Sequence, residues 1–560
     1  MKKTLKVIDF FCGAGGFSEG FRQQGFDIVM GIDDWMPAVE THNLNHGLSD
    51  KKKDVLDFAK SIDEINTLPN TEIIIGSPPC VLFSLSNKGG KGDKTLGIKL
   101  IEAFLRAIAV KKHQPSSNLK AWFMENVPNS RNYIKESYTF NDLGLQNWAK
   151  NHNIDPSKIA LNGSSNGHII NSADFGSPQK RKRFICGEFV ATGEFPDFTA
   201  FLNKRNITLG EIKSQMPRPN IAVSEEIYSD PNYPQINLKV NDITDHFYDT
   251  GIYELQWKNT MYAKVNHPYM GKMSFPEDDH KLSRTIMATR SMTTREAIIY
   301  RSEYKRIGDG EYRSPTIREI ATLMGFPYTY HFFGSETVKW RLVGNAVCPH
   351  VSSAIAKSVR VALGLKPITD KNVIFPIKDI DSVKFNNLNT FSEREFTKPP
   401  QKKPLARFRQ HPFKDGNMTV ALTNFNPLEK NLDNKIVDWY SFVFLGSGKD
   451  FKIKPIYKKE HIKIARLIEG LYSDQGQKFI ESFDKSFKEV MGRSKEFQAA
   501  YERQDHSYLE PNALVENIGK FILQNEPEKK YVEIEQFLPG KQRIPTRQIL
   551  AMYAINRLIS

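Results

Sequence analysis

A lone cysteine, Cys80, stands where a nucleophile would be useful. The β-branched run Ile73-Ile74-Ile75 predicts a buried strand, and the rigid turn Gly76-Ser77-Pro78-Pro79 ends it immediately before the thiol. In open α/β sheets, ligands gather at the carboxyl ends of strands, so this thiol sits where chemistry is done. A free cysteine is equally at home as a small buried hydrophobe, and reactivity needs an electropositive, partly exposed setting. Other residues must therefore converge on the same edge. Glu125 follows the apolar strand Ala121-Trp122-Phe123-Met124 and arrives there as a candidate acid, where an isolated glutamate is ordinarily a solvated one. In Gln179-Lys180-Arg181-Lys182-Arg183, alternation along an extended chain puts Arg181 and Arg183 on one side and the lysines on the other. Such a run is otherwise a solvated face.

The elements that position these groups are readable around them. Val7 to Phe11 predicts a first strand, Cys12-Gly13-Ala14-Gly15-Gly16 a turn, and Phe17 to Gln24 a helix. Glycines at a strand-to-helix turn let a backbone approach a ligand, although they also serve plain turns. A second strand, Ile28 to Ile32, ends in Asp33, followed by Asp34 and Trp35. An acid about 20 residues past the glycines is where a ribose hydroxyl is bound. The GxGG spacing differs from GxGxxG and suits an adenosyl ligand without phosphates better than a dinucleotide. Asp54-Val55 could meet an adenine amino edge or simply cap a helix. Between Ser84 and Thr95 the chain is rich in Ser, Gly, Lys and Asn, a candidate lid beside the thiol. Ile98 to Ile108 then shows helical spacing.

At 560 residues the chain predicts about two to four domains. No apolar run approaches the roughly 20 residues of a membrane helix. The basic start Met-Lys-Lys runs straight into a strand, so no signal peptide is expected. Four scattered cysteines without CxxC pairs argue against disulfides and structural zinc. A net charge of +14 fits a polyanionic partner such as nucleic acid, or a merely basic surface.

Taken together, the motifs resemble one family, the C5-cytosine DNA methyltransferases. Phe11-Cys12-Gly13-Ala14-Gly15-Gly16 is similar to its cofactor motif, Gly76-Ser77-Pro78-Pro79-Cys80 to its nucleophile motif and Glu125-Asn126-Val127 to its ENV motif. The QxRxR motif is matched by 179–183, the penultimate motif by Arg313 to Glu319 with Met324 to Pro327, and the closing motif by Gly344-Asn345-Ala346-Val347. These fall in the family's order across residues 5–362. The resemblance implies an α/β fold: a Rossmann-like class I S-adenosylmethionine-dependent methyltransferase domain with a small target-recognition domain. It implies Cys80 as the nucleophile that adds to C6 of a flipped-out cytosine, Glu125 as the proton donor at N3, and Arg181 and Arg183 as groups positioning the base and thiol. For S-adenosyl-L-methionine it implies Phe11, Gly13, Gly15, Gly16, Asp33, Asp34, Trp35, Asp54, Val55, Pro79 and Asn345, with no metal. Val81 stands where the family usually has Gln, and Asp33 where it more often has Glu.

The expected division is 1–190 catalytic, 191–281 target recognition, 282–365 a catalytic return segment, 366–415 a basic Pro-rich linker and 416–560 a C-terminal α+β extension. From residue 366 onward the chain carries 33 Lys/Arg against 25 Asp/Glu, more than half of the basic excess. The extension reads as an accessory DNA- or partner-binding module. The resemblance implies double-stranded DNA as partner, a possible cognate restriction endonuclease, a monomer, and a bacterial cytoplasmic location at the nucleoid. A tRNA cytosine-5 methyltransferase of the same fold and a non-catalytic DNA-binding or cofactor-sensing protein are the alternatives.

Overall fold

The computed structural model describes residues 4–79, 83, 94–203, 205–221, 225–265, 272–369, 393–396, 410–415, 418–428, 438–445, 452–503, 509–534 and 542–560. Cys80, Val81, the loop 84–93 and the basic stretch 397–409 lie outside the described residues. The chain forms two units, Met1–Phe396 and Thr397–Ser560.

The first unit is built on a six-stranded sheet. Its strands are β1 (Lys6–Phe10), β2 (Asp27–Ile32), β3 (Ile73–Gly76), β4 (Ala121–Asn126), β5 (His168–Asn171) and β6 (Lys182–Phe189), in the order β2-β1-β3-β4-β6-β5. β1 to β4 run parallel, whereas β6 lies antiparallel to β4 and β5 antiparallel to β6. Register sets Val7 beside Ile73 and Ile75 beside Phe123. β3 ends opposite Met124, and β4 runs two residues further to Asn126, carrying Glu125 past the end of β3.

β3 shows why its sequence is continuously apolar. Ile73 and Ile75 enter the core on one face, Ile74 the core on the other, and all three are fully buried. A strand covered on both sides has no polar position to spare. Ile74→Ala is expected to cost about 2–5 kcal/mol, read as a lowered denaturant midpoint of the first transition. The strand must end in Gly76, because a Cβ there would lie 2.7 Å from the Phe104 ring.

Five helices frame the catalytic edge: α1 (Gly16–Gln23), α2 (Met36–His46), α3 (Lys94–His113), α4 (Ile317–Met324) and α5 (Glu336–Asn345). A sixth, α6 (Pro349–Ala362), packs along α1. The contact is intimate, since a Cβ on Gly20 would meet the Ser353 amide nitrogen. Ser352 Oγ donates to the Phe17 carbonyl and Arg360 Nη1 to that of Gln24 at 2.9 Å. The last motif thus returns beside the first.

The penultimate motif is architectural. Arg313 donates to both carboxylate oxygens of Glu319 (2.7 and 2.8 Å) and of Glu303 (2.6 and 2.7 Å). Arg318, fully buried, donates to the carbonyls of Thr244, Pro327 and Tyr330. Thr316 and Glu319 form a capping box that starts α4. Between β6 and α4 the described elements are short: helices Leu209–Gln215 and Glu254–Val265, and the strand pairs Ile227–Ser229 with Asn237–Lys239 and Tyr300–Arg301 with Tyr312–Arg313. This sparse scaffold matches the irregular composition of the region.

The second unit is α+β, as expected, but its first strand, Gln410–Asp415, lies in the stretch 366–415 expected as linker. Strands Gln410–Asp415, Met418–Thr423, Tyr440–Leu445 and Lys452–Ile456 form an antiparallel meander. The helix Thr546–Ile559 is buried on nearly all sides against it. Its two buried amides explain how a polar residue survives there: Asn556 Nδ2 donates to the Ile456 carbonyl and Gln548 Nε2 to that of Met418. No helix among the described residues is long and apolar enough to cross a membrane.

Candidate active site

At the carboxyl ends of β1 to β4 lies a cleft of about 480 Å³, within the size range of small-ligand sites. Its walls include Phe11, Gly13, Asp33, Asp34, Trp35, Pro79, Glu125, Arg181, Arg183 and Asn345. Residues separated by more than 300 positions therefore share one site. Cys80 lies outside the described residues, directly after Pro79.

The β1–α1 turn forms the floor. Gly13 adopts a left-handed φ of 53°, and a Cβ there would meet only the Phe11 carbonyl, at 3.8 Å. Gly15 and Gly16, expected at the cofactor, do not line the cleft. A side chain on Gly15 would strike the Tyr330 hydroxyl, and one on Gly16 the Val347 carbonyl, so Gly15 admits close packing of Tyr330 and Gly16 that of the closing motif.

The two acids after β2 divide their work. Asp33 Oδ2 accepts from the Gly13 amide at 3.0 Å, and Oδ1 accepts from the Trp35 amide at 2.9 Å. Both oxygens of Asp33 therefore brace the turn, and burial raises its pKa to about 6 against those hydrogen bonds. Asp34 is exposed and lines the cleft. Asp54 instead accepts from the Leu56 amide, and Val55 is buried in the core; neither lines the cleft.

Glu125, buried at the last turn of β4, faces Arg183, whose Nε lies 2.9 Å from Oε1. Burial raises the Glu125 pKa, outweighing the opposing pull of Arg183 and Arg181. A carboxyl held above its ordinary range keeps a proton available for donation.

Arg181 is a latch. Its guanidinium donates to the carbonyls of Ile286 (3.2 Å), Gly344 (3.0 Å) and Ala346 (2.9 Å). Gln179 Oε1 accepts from the Ile286 amide at 2.8 Å. The 179–183 motif thus pins the return segment and the closing motif to the sheet, and of its two arginines Arg183 is the one paired with Glu125.

Sequence reading missed Ala288, Thr289, Arg290, Thr337, Arg341 and Leu342, which also line the cleft. Thr337, Arg341 and Asn345 are one turn apart on α5, so the helical period from Asn345 was the available signal. Arg341 Cζ stands 4.6 Å over the Trp35 ring. Arg290 lies over Trp340, with Nη2 donating to Ser314 Oγ at 2.5 Å. Among the described residues, no group of three or more His, Cys, Asp or Glu could hold a metal.

The donor set fits an adenosyl ligand carrying no phosphate. The cleft offers three aromatic rings (Phe11, Phe17 and Trp35), a glycine, an exposed acid in Asp34 and an amide on α5. Type II methyltransferase M.MthTI of Methanothermobacter thermautotrophicus is 27% identical over 373 residues, 64% of this chain and 97% of that protein. Type II methyltransferase M.HgiDI of Herpetosiphon aurantiacus is 27% identical over 369 residues, 64% of this chain and 95% of that protein. The S. pombe Dnmt2 methyltransferase structure covers 65% of this chain at 20% identity, with a TM-score of 0.38. The profile of C-5 cytosine-specific DNA methylases matches residues 5–360, which contain every wall of the cleft, and the chain belongs to that family.

Proposed function

We propose that this enzyme methylates C5 of a flipped-out cytosine within a specific double-stranded DNA site, in a restriction-modification setting. The observation that carries the proposal is Glu125, a buried carboxyl 2.9 Å from Arg183 whose pKa burial raises, in the same cleft as Pro79 of the nucleophile motif. When bound, S-adenosylmethionine supplies an electrophilic sulfonium methyl. Gly13, Asp34, Trp35 and Asn345 would hold it, with Asp34 on the ribose hydroxyls and Asp33 shaping the turn beneath.

Cytosine C5 is a weak nucleophile, so the chain must activate it. The Cys80 thiolate adds to C6, and the C5–C6 electron pair becomes available at C5. Glu125 donates its proton to N3 as negative charge builds there, and Arg183 holds the carboxylate that results. C5 takes the methyl as its bond to the sulfonium sulfur breaks. Loss of the C5 proton to a water or hydroxide then re-forms the C5–C6 double bond and expels Cys80 as thiolate, and the N3 proton returns to the Glu125 carboxylate. Since a paired base cannot be reached, the cytosine must leave the stack. Bisulfite sequencing of DNA from cells expressing the protein tests this. One sequence context methylated at C5 is expected, and a pattern identical to that of empty-vector cells would refute it.

Asp34→Ala is expected to raise KM for S-adenosylmethionine about 10–100-fold, the loss of a charge-assisted hydrogen bond, with kcat little changed. Steady-state kinetics check it. An equal effect of Asp33→Ala on KM alone would contradict the division of roles.

A further inference from the structure

Residues 393–396, Glu-Arg-Glu-Phe, lie more than 30 positions beyond the family match, yet they pack within the first unit. Their seat is specific. Phe396 meets Tyr253 edge-on, with ring centroids 5.6 Å apart, and Arg306 stands 4.9 Å over its ring. A Cβ on Gly251 would lie 2.7 Å from this ring and one on Gly310 2.5 Å, so any side chain at either position would intrude on the seat. Arg394 Nη1 donates to the Gly251 carbonyl at 2.5 Å, its guanidinium 5.2 Å from the Tyr253 ring. Glu393 pairs with Arg306 at 3.1 Å, and Asp249 holds the other side of that guanidinium at 2.5 Å.

The seat is continuous with the cleft. Gly251 bridges Arg313, and the Ile252 amide donates to the Tyr312 carbonyl. Next along the chain, the Thr250 hydroxyl and the Ser314 amide exchange hydrogen bonds with each other's backbone carbonyls. Ser314 Oγ accepts from Arg290, which lines the cleft. A segment outside the family match therefore grips the two backbone strands that place Ser314 against Arg290, a wall of the cleft. Short strand pairs of this kind are marginal alone and need such packing to hold one arrangement.

We propose that residues 393–396 are a clip that holds the 249–253 and 300–314 segments in their DNA-competent arrangement, making this part of the tail a positioning element of target recognition. The proposal rests on the DNA-methylating reading above. A cation–π contact and the packing of a half-buried ring are lost when Phe396 is truncated, while nothing in the cofactor site is touched.

The test uses full-length Phe396→Ala, Arg394→Ala and Phe396→Leu. Phe396→Ala and Arg394→Ala should raise KM for duplex DNA about tenfold with kcat within about twofold and unchanged affinity for S-adenosylmethionine. Amide exchange should quicken at 250–253 and 308–312 alone, and Phe396→Leu should recover most of the DNA affinity. An unaltered KM for DNA in Phe396→Ala overturns the clip. A lowered KM also overturns it and makes the segment an inhibitory strap. If the unmodified enzyme methylates no DNA, the activity reading fails instead, and unchanged exchange in Phe396→Ala then decides against the clip on its own.

Discussion

Replacing Cys80 with serine is expected to lower methyl transfer by at least about 10³-fold, the scale seen when a covalent nucleophile is removed. At neutral pH a thiol is partly ionised and intrinsically nucleophilic, whereas a serine hydroxyl without an adjacent base is neither. Affinity for S-adenosylmethionine should stay within about threefold, because the proposed contacts come from β1, β2 and α5. Tritiated methyl incorporation measures the first quantity and calorimetry the second. Duplexes carrying 5-fluorocytosine add a direct readout. Fluorine at C5 removes the proton whose loss releases the enzyme, so the unmodified protein should remain attached to DNA through denaturing electrophoresis. The serine variant should show no such adduct. Substantial turnover by Cys80→Ser would remove the covalent step from the mechanism.

The second large effect is at Glu125. Glu125→Gln preserves size and a polar tip but cannot deliver a proton, and kcat should fall about 10²–10⁴-fold. Its pH dependence has a definite sign. Burial raises the Glu125 pKa, so the folded enzyme keeps the protonated, donating form to higher pH than a solvated glutamate would. The rate should decline as pH rises through that elevated value, and this limb should vanish in Glu125→Gln. The same shift means that the native state binds this proton more tightly than the unfolded chain. Its contribution to stability is complete below the ordinary glutamate range and is lost as pH rises through the folded value. Single-turnover rates across pH check the catalytic claim. A declining limb that persists in the Gln variant would assign the proton to another group.

The central strands were legible because burial on both faces leaves an unambiguous apolar run, as at Ile73 to Ile75 and Ala121 to Met124, whereas the edge strand His168–Asn171, partly exposed, was not. Pro79, Glu125 and Arg183 were legible as neighbours because each sits at the end of a strand or in a patterned extended stretch. The division between Asp33 and Asp34 was not. Both acids line the cleft at nearly the same spacing from the glycines, and only backbone direction decides that Asp33 is the one whose oxygens brace Gly13 and Trp35. Arg181 was legible as a member of the site, but its partners were hidden for a different reason. Its acceptors are carbonyls at 286, 344 and 346, which carry no side-chain signature and lie more than 100 positions away. Asp54 shows a local reading prevailing, since its carboxylate bonds two residues onward like an ordinary turn acid. Phe396 carried no signal, because its seat is made by glycines and arginines dispersed from 251 to 310.

The return of α6 against α1 bears on how such a chain can be written as a gene. Where the closing motif and the opening turn are neighbours, the backbone of residues 5–362 is nearly a ring, and its starting point is a matter of connection rather than of architecture. A rearranged protein whose first residue falls in a surface loop, with a short joint spanning α6 to β1, would keep every wall of the cleft in place. Motif order along the chain is, in that sense, a record of descent and not a requirement of the chemistry.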